Sequence, residues 1–467
     1  MVLLEALYVA LGAICVAVVA TPFLRARRAY TVFTLLTATA MAAALYTLYA
    51  LHGRVVRLFG GSVILDPFSL SVFTATLLVS LLAGLGALRL AEESLGGAFY
   101  SILAVTLLGV MSITLSGDVV QIYAAWILAA VSSYVIIGCA RDRVAAEAAM
   151  KYGAMGALAT VMILYALLLT TFCRGSLYLG VGVKPHAYPF YMTAITFLAA
   201  TAIGFKIGVV PFHAWLPDVY GNARPCLVAV VASLSKLLAA VFIVKLLILP
   251  VNNYPVVSAA MMAVLAAITM TYGNIGALTA PTPQLLLAYS AIAQAGYLLV
   301  GFTGLSRLPG IDRAAALEGI FLHSAGYSLA VLALFLVLDA LRDEELVSWV
   351  EVQGSLSSSP LAASAAGLAL ATLTGVPPTA GFWGKLLMAV SVAPLMPLLV
   401  LVMGINIAVS AYYYMKLLYI LVKPVKQRPR IRCGLRICVA LAAAAASLIL
   451  GFLTPALAGL RAYGVSG

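Results

Sequence analysis

The sequence predicts an all-α polytopic membrane protein of about 14 transmembrane helices, and three observations predict it. Hydrophobic residues make up 64% of the chain and charged ones 9%, against roughly a quarter charged in a soluble domain. Mean hydropathy is +1.12. Apolar runs of about 20 residues, the length that crosses the hydrocarbon of a bilayer, recur along all 467 residues. No stretch is left over for a soluble catalytic domain.

Taken in order, the expected spans are 3–24, 30–51, 67–90, 97–116, 118–140, 147–171, 189–210, 224–249, 255–278, 283–302, 314–341, 360–392 with an internal break, 397–422 and 436–458. The first lacks a basic leader before its apolar run, so it is expected to be a retained span and not a signal peptide. Segment 53–65, GRVVRLFGGSVIL, carries β-branched runs on either side of Gly60-Gly61 and predicts a short hairpin. Asp66-Pro67 then supplies an N-cap and a first-turn proline for the third helix. Pro211 interrupts the seventh span, and Pro377-Pro378 interrupts the twelfth. A proline inside a span removes a donor and clashes with the preceding turn, so the freed carbonyls must face polar groups.

Matching breaks in two halves point to a transport core built of inverted repeats. The expected organisation is therefore helices 1–3 with the hairpin (1–96), a first five-helix repeat (97–250, helices 4–8), a second (251–422, helices 9–13), and a basic loop with helix 14 (423–467). Five spans is an odd number, so consecutive repeats run inverted. Counted with the termini outside, the inner loops collect 15 Lys and Arg and the outer side 7, which places both termini on the outer side. The segments 342–354, acidic, and 423–432, basic, read as solvated inner loops.

The formal charge of +12 does not indicate nucleic acid, because the basic residues sit at the ends of apolar runs. Six cysteines show no CxxC or His-paired spacing and read as small hydrophobes. No glycine-rich dinucleotide motif, cysteine cluster or haem-type histidine pair is present, so no cofactor or metal site is expected in this chain.

Charges inside a span cost about 2.5 kcal/mol or more, which makes each one a functional candidate. Lys206, Lys236 and Lys385 are the deepest. Lys236 lies about 11 residues into its helix, roughly 16 Å, near the midplane. Desolvation lets an amine give up its proton more readily, which a proton carrier needs. The competing reading is an amine held permanently charged by a carboxylate or by helix C-terminal carbonyls. Lys206 precedes Pro211 by five residues, and Lys385 follows Pro377-Pro378. His213, after the first break, and His323, inside the eleventh span, can pass protons through either ring nitrogen, or can be neutral and hydrogen-bonded. Lys245 and Lys416 are expected to snorkel to the interface. Asp218 is expected to cap the helix after it, and Glu147 to pair with Lys151 at i, i+4.

The motifs GFKIGVVPFHAWLPDVYGNARPCLVAVVASLSK (204–236), QLLLAYSAIAQAGYLLVG (284–301), EAAMKYGAMGALATVMILYALLL (147–169) and TGVPPTAGFWGKLLM (374–388) resemble the antiporter-like membrane subunits of respiratory complex I, most closely the N-type subunit. The resemblance covers about residues 66–422 and extends to the subunits of Mrp sodium/proton antiporters and membrane-bound hydrogenases. It implies a 14-helix subunit of a proton-translocating NADH (or other donor):quinone oxidoreductase in a prokaryotic cell membrane. Quinone, donor, FMN and iron–sulfur clusters would then lie in partner subunits, membrane and peripheral. By motif position Lys206, Lys236 and Lys385 would be its proton-carrying lysines, and His213 its PFH histidine. Where the family carries a helix 5 glutamate that pairs with the lysine of helix 7, this chain has Ile127 in YAAWILAAVSSY. The resemblance thus leaves two alternatives beside a pumping subunit of a complex I-like assembly: an antiporter or hydrogenase subunit, and a non-pumping scaffold.

Overall fold

A computed structural model describes all residues except 1, 52, 94, 141, 180–188, 254, 342–347, 351, 358, 425–433 and 458–467. The chain order is α1 (Val2–Ala20), α2 (Ala26–Ala50), β1 (Val56–Leu58), β2 (Val63–Leu65), α3 (Pro67–Gly86), α4 (Leu88–Glu93), α5 (Ala98–Leu115), α6 (Val119–Gly138), α7 (Arg143–Arg174) and α8 (Pro189–Ile207). It continues with α9 (Trp215–Asn222), α10 (Pro225–Asn253), α11 (Pro255–Thr279), α12 (Pro283–Thr303), α13 (Arg313–Leu341), α14 (Pro360–Thr374), α15 (Ala380–Val392), α16 (Pro397–Val422) and α17 (Leu435–Leu457). Among the described residues 13 helices are long and apolar enough to cross a membrane, while α14 and α15 are shorter apolar helices. The expected twelfth span is this broken pair.

Local chemistry sets the helix starts. Seven helices begin on proline, whose fixed φ suits the first turn and whose missing N–H costs nothing there. Asp66, Asp118 and Asp142 each accept a hydrogen bond from the amide three residues on, at 2.8, 2.8 and 2.6 Å, which satisfies one of the orphan donors of a helix start. β1 and β2 form an antiparallel hairpin with Val56 opposite Leu65, and Gly60 turns it at φ +67°.

Nearly every residue of α12, α13 and the stretch Pro225–Lys245 of α10 is buried, whereas α1, α2 and α16 expose much of their surface. The first three are thus the interior, and the buried lysines cluster on and around them. Small residues allow the close packing: a Cβ at Gly296 of α12 would meet the Met270 amide of α11 at 2.5 Å, and one at Gly109 of α5 would meet the Ala129 amide of α6 at 2.8 Å.

Two parts of the sequence reading of the helix boundaries change. The first is the position of the breaks. Both come before the proline: α8 ends at Ile207 and α14 at Thr374, each followed by a glycine with positive φ, Gly208 (+82°) and Gly375 (+91°). A left-handed residue stops a helix at once, so each helix is terminated by the glycine of a G-x-x-P segment and not by its proline. The second is Asp218. It sits inside α9, where it accepts from Lys151 Nζ at 3.2 Å, and Ala214 is the N-cap residue. Lys151 also pairs with Glu147 at 3.0 Å, as its spacing predicts. Most of 342–354 and all of 423–432 beyond Pro424 lie outside the described residues.

One buried ion pair, at residues the sequence reading passed over, joins three helices. Asp339 of α13, 3% exposed, takes Arg436 of α17 at 2.7 Å through Oδ2 and the Cys226 amide of α10 at 3.2 Å through Oδ1. The carboxylate therefore caps the helix that carries Lys236. Removing one partner of such a pair leaves an uncompensated buried charge. Arg436→Ala is expected to cost about 3–5 kcal/mol, read as a lower thermal unfolding midpoint of the purified protein. Asp339→Asn with Arg436→Met, which keeps the cap and removes both charges, is expected to lose much less.

Candidate functional site

The interior site is built where α8 and α14 stop. A helix that ends inside a bundle leaves carbonyls without intrahelical partners, and each needs a donor from elsewhere. At the end of α8, Trp215 Nε1 donates to Phe205 O at 2.8 Å and Lys236 Nζ to Ile207 O at 2.5 Å. At the end of α14, Lys385 Nζ donates to Leu373 O at 2.6 Å and to Thr374 O at 3.1 Å, while Gln294 Nε2 shares Leu373 O at 2.9 Å. Two buried lysines on different helices thus satisfy two broken ends, and the negative end of each helix dipole favours the charged amine. Lys236 is 2% exposed and Lys385 4%.

Lys206 is placed differently. It lies in the last turn of α8, fully buried, and its Nζ donates to Ser133 Oγ at 2.9 Å and to Tyr152 OH at 3.1 Å. Lys206 and Ser235 line one small cavity between α5, α6, α8 and α10, and Ser235 directly precedes Lys236.

The remaining contacts run onward from Lys236 along α13. Its Nζ stands 5.4 Å from the Tyr327 ring centre. His323 is one helical turn from Tyr327, and its ring meets that of Tyr297 at 6.4 Å. Tyr297 in turn lies 4.6 Å from Lys385 Nζ. His323 Nε2 sits 3.2 Å from the backbone carbonyl of Gln294. A carbonyl only accepts, so Nε2 carries the hydrogen and Nδ1 holds the lone pair. That Nδ1 is buried and has no hydrogen-bond partner in the protein, and the same holds for Tyr327 OH, Ser324 Oγ and Ser328 Oγ. Four polar groups on adjoining faces of one helix therefore remain to be satisfied between Lys236 and Lys385.

The structure thus brings Lys206, Lys236, His323 and Lys385 into one series. It leaves His213 apart: half-buried after the first break, with its ring 4.3 Å from Tyr272. Pro211 and Pro377 are exposed at the breaks and Pro378 is partly buried. Ile127 is 37% exposed on the outer face of α6, away from the face that carries Ser133. Among the described residues no ion pair joins a carboxylate to any of the three lysines. Lys245 does not snorkel. Its Nζ donates to Thr114 O at 2.5 Å and Ser116 O at 2.8 Å, capping the end of α5. Lys416 is exposed, 6.0 Å from the Trp349 ring.

Sequence reasoning missed Ser133, Tyr152, Gln294 and Tyr297, which have neutral side chains. Gln294 alone carried a signal, as an amide in the apolar run of α12.

Residues 116–410 match the family described as "NADH:quinone oxidoreductase/Mrp antiporter, TM". NADH-quinone oxidoreductase subunit N 2 of Roseiflexus castenholzii is 30% identical over 430 residues, covering 87% of this chain and 85% of that one. A chain of respiratory complex I from Thermus thermophilus superposes with a TM-score of 0.80 at 27% identity, over 96% of this chain and 97% of that one. A chain of the Mrp complex from Dietzia sp. DQ12-45-1b shares the fold, with a TM-score of 0.82 at 20% identity and coverage of 100% and 97%.

Gln294 also donates to Tyr414 OH at 3.1 Å, so its amide ties α12 to both α14 and α16. Gln294→Leu removes the donor from two buried acceptors. It is expected to destabilise the protein by about 1–3 kcal/mol, measured as a fall in the thermal unfolding midpoint.

Proposed function

The chain belongs to the NADH:quinone oxidoreductase/Mrp antiporter family of membrane subunits, and on that premise we propose that it carries protons within a complex I-like assembly, along the series Lys206, Lys236, His323 and Lys385. It is an N-type, antiporter-like membrane subunit. Electron transfer belongs to partner subunits that hold the donor site, FMN, iron–sulfur clusters and quinone.

The observation that carries the proposal is three fully buried amines, none paired with a carboxylate among the described residues, in reach of hydroxyls and an imidazole that can relay a proton. A lysine locked to a carboxylate at close range is a fixed charge. An amine held by hydroxyls, as Lys206 is, can lose its proton and keep a hydrogen bond, since a neutral amine still donates; at the two helix ends the dipole favours the charged form of Lys236 and Lys385, so each gives up its proton only as the next one arrives. Lys206 hands its proton across the shared cavity toward Ser235 and Lys236. From there Tyr327 and the lone pair of His323 Nδ1 lead to Lys385. With Nε2–H held by the Gln294 carbonyl, His323 takes a proton on Nδ1 and releases it from the same nitrogen toward Lys385, so the imidazole passes charge without turning over. The hydroxyls of Ser324 and Ser328 border that step. His213 stands at the surface end of the first break, where it serves as a proton acceptor from the aqueous side.

The two breaks also support a core of two inverted five-helix units, 97–250 and 251–422, with both termini on the outer side. Each unit then contributes one interrupted helix and one lysine at its end.

A scaffold reading draws on Ile127, a neutral residue at a position where relatives are expected to carry a glutamate. Its outward placement speaks against that reading, because a side chain there does not reach the Lys206 amine pocket in this structure. The test is proton translocation per electron in proteoliposomes that contain the assembled complex. Lys206→Ala and Lys385→Ala are each expected to lower it while the complex still assembles and transfers electrons. Wild-type stoichiometry in Lys206→Ala and in Ile127→Glu alike sinks the pumping assignment in favour of a scaffold.

A further inference from the structure

Lys206 differs from the other buried lysines. Lys236, Lys385 and Lys245 all point at the carbonyls of a helix end, where the dipole favours a positive charge. Lys206 has no such end and, among the described residues, no carboxylate. Its surroundings are aromatic: the Nζ lies 5.5 Å from the Tyr134 ring centre and 6.0 Å from that of Trp126, while Tyr152 meets it with its hydroxyl. Rings at this range attract a cation through their negative faces, and the attraction grows when water is excluded.

The rings are fixed before any charge arrives. Tyr152 stacks on Trp215 at 4.2 Å with planes 8° apart, and Tyr134 meets Tyr152 edge-on at 4.5 Å. Trp126 packs on Phe242 at 4.6 Å. Gly156 lies against the Tyr134 hydroxyl so closely that a Cβ there would collide with it.

We infer that the rings of Trp126 and Tyr134 form an aromatic cage that, with the hydroxyls of Ser133 and Tyr152, holds the protonated Lys206 in place of a carboxylate partner. The cage rests on the reading of Lys206 as a proton carrier, and it makes the two rings and the Tyr152 hydroxyl positioning groups for that amine. It gives the ammonium an attraction that its neutral form lacks without fixing a counter-charge beside it.

The test uses the assembled complex in proteoliposomes and reads protons per electron. Trp126→Leu with Tyr134→Leu removes two π faces and is expected to lose as much proton flux as Lys206→Ala, whereas Trp126→Phe with Tyr134→Phe keeps the faces and most of the flux. Ser133→Asp, introduced at the position 2.9 Å from the amine, is expected to restore flux to the leucine pair. Equal loss in the leucine and phenylalanine pairs, or no restoration by Ser133→Asp, overturns the cage. Wild-type flux in Lys206→Ala overturns the relay instead. Ultraviolet resonance Raman spectra of the indoles decide the cage without reference to pumping or to the leucine pair. Lys206→Met is expected to shift the Trp126 band, identified by its loss in Trp126→Phe, and an unshifted band overturns the cage.

Discussion

Two helix ends are stranded inside this bundle, and the hydrogen bonds they need come from lysines. That constraint organises the interior. Gly208 and Gly375 stop α8 and α14 in surroundings without bulk water to solvate the last carbonyls, so Lys236 and Lys385 must be where they are for the breaks to be tolerated. The reverse also holds: an amine in an apolar interior needs acceptors, and a broken helix supplies them together with a favourable dipole. Each break and each amine stabilises the other. A site built this way keeps a titratable group at depth without burying a formal counter-charge next to it.

The same logic separates the carboxylates from the route. Among the described residues one carboxylate, Asp339, is fully buried, and it is neutralised by Arg436 while it caps α10. Its work is to fix the axial position of the helix that carries Lys236. The amines along the proposed route are held by weaker, neutral partners: carbonyls, hydroxyls and ring faces. This division leaves a rigid frame around the amines that the proposed relay uses.

Much of the fold was legible in the sequence, because length and hydropathy fix a membrane helix with little help from tertiary context. The spans read from apolar runs correspond closely to α3, α5, α10, α11, α12, α13, α16 and α17. What failed was local. The prolines mark the breaks in the sequence, but Gly208 and Gly375, three residues before Pro211 and Pro378, end the helices, since a positive φ acts at once and a proline acts on the turn before it. The short α9 and the role of Asp218 in it were missed because eight residues carry little periodicity. Lys206, Lys236, Lys385 and His323 stood out because charge and imidazole are rare in such spans. Ser133, Tyr152 and Tyr297 did not, because hydroxyls and aromatic rings are common in membrane helices and only three-dimensional proximity to an amine distinguishes them. Lys245 differs for a related reason: its nearness to the end of its span predicts snorkelling, but the end of α5 lies beside it.

The central claim is a polar path joining Lys236 to Lys385 along α13, and a high-resolution map of the complex in a lipid bilayer tests it most directly. The account predicts ordered water hydrogen-bonded to Tyr327 OH, Ser324 Oγ, Ser328 Oγ and His323 Nδ1, in a continuous chain between the two amines. A dry, close-packed apolar region around those four atoms, with no hydrogen-bonded connection from one amine to the other, contradicts it.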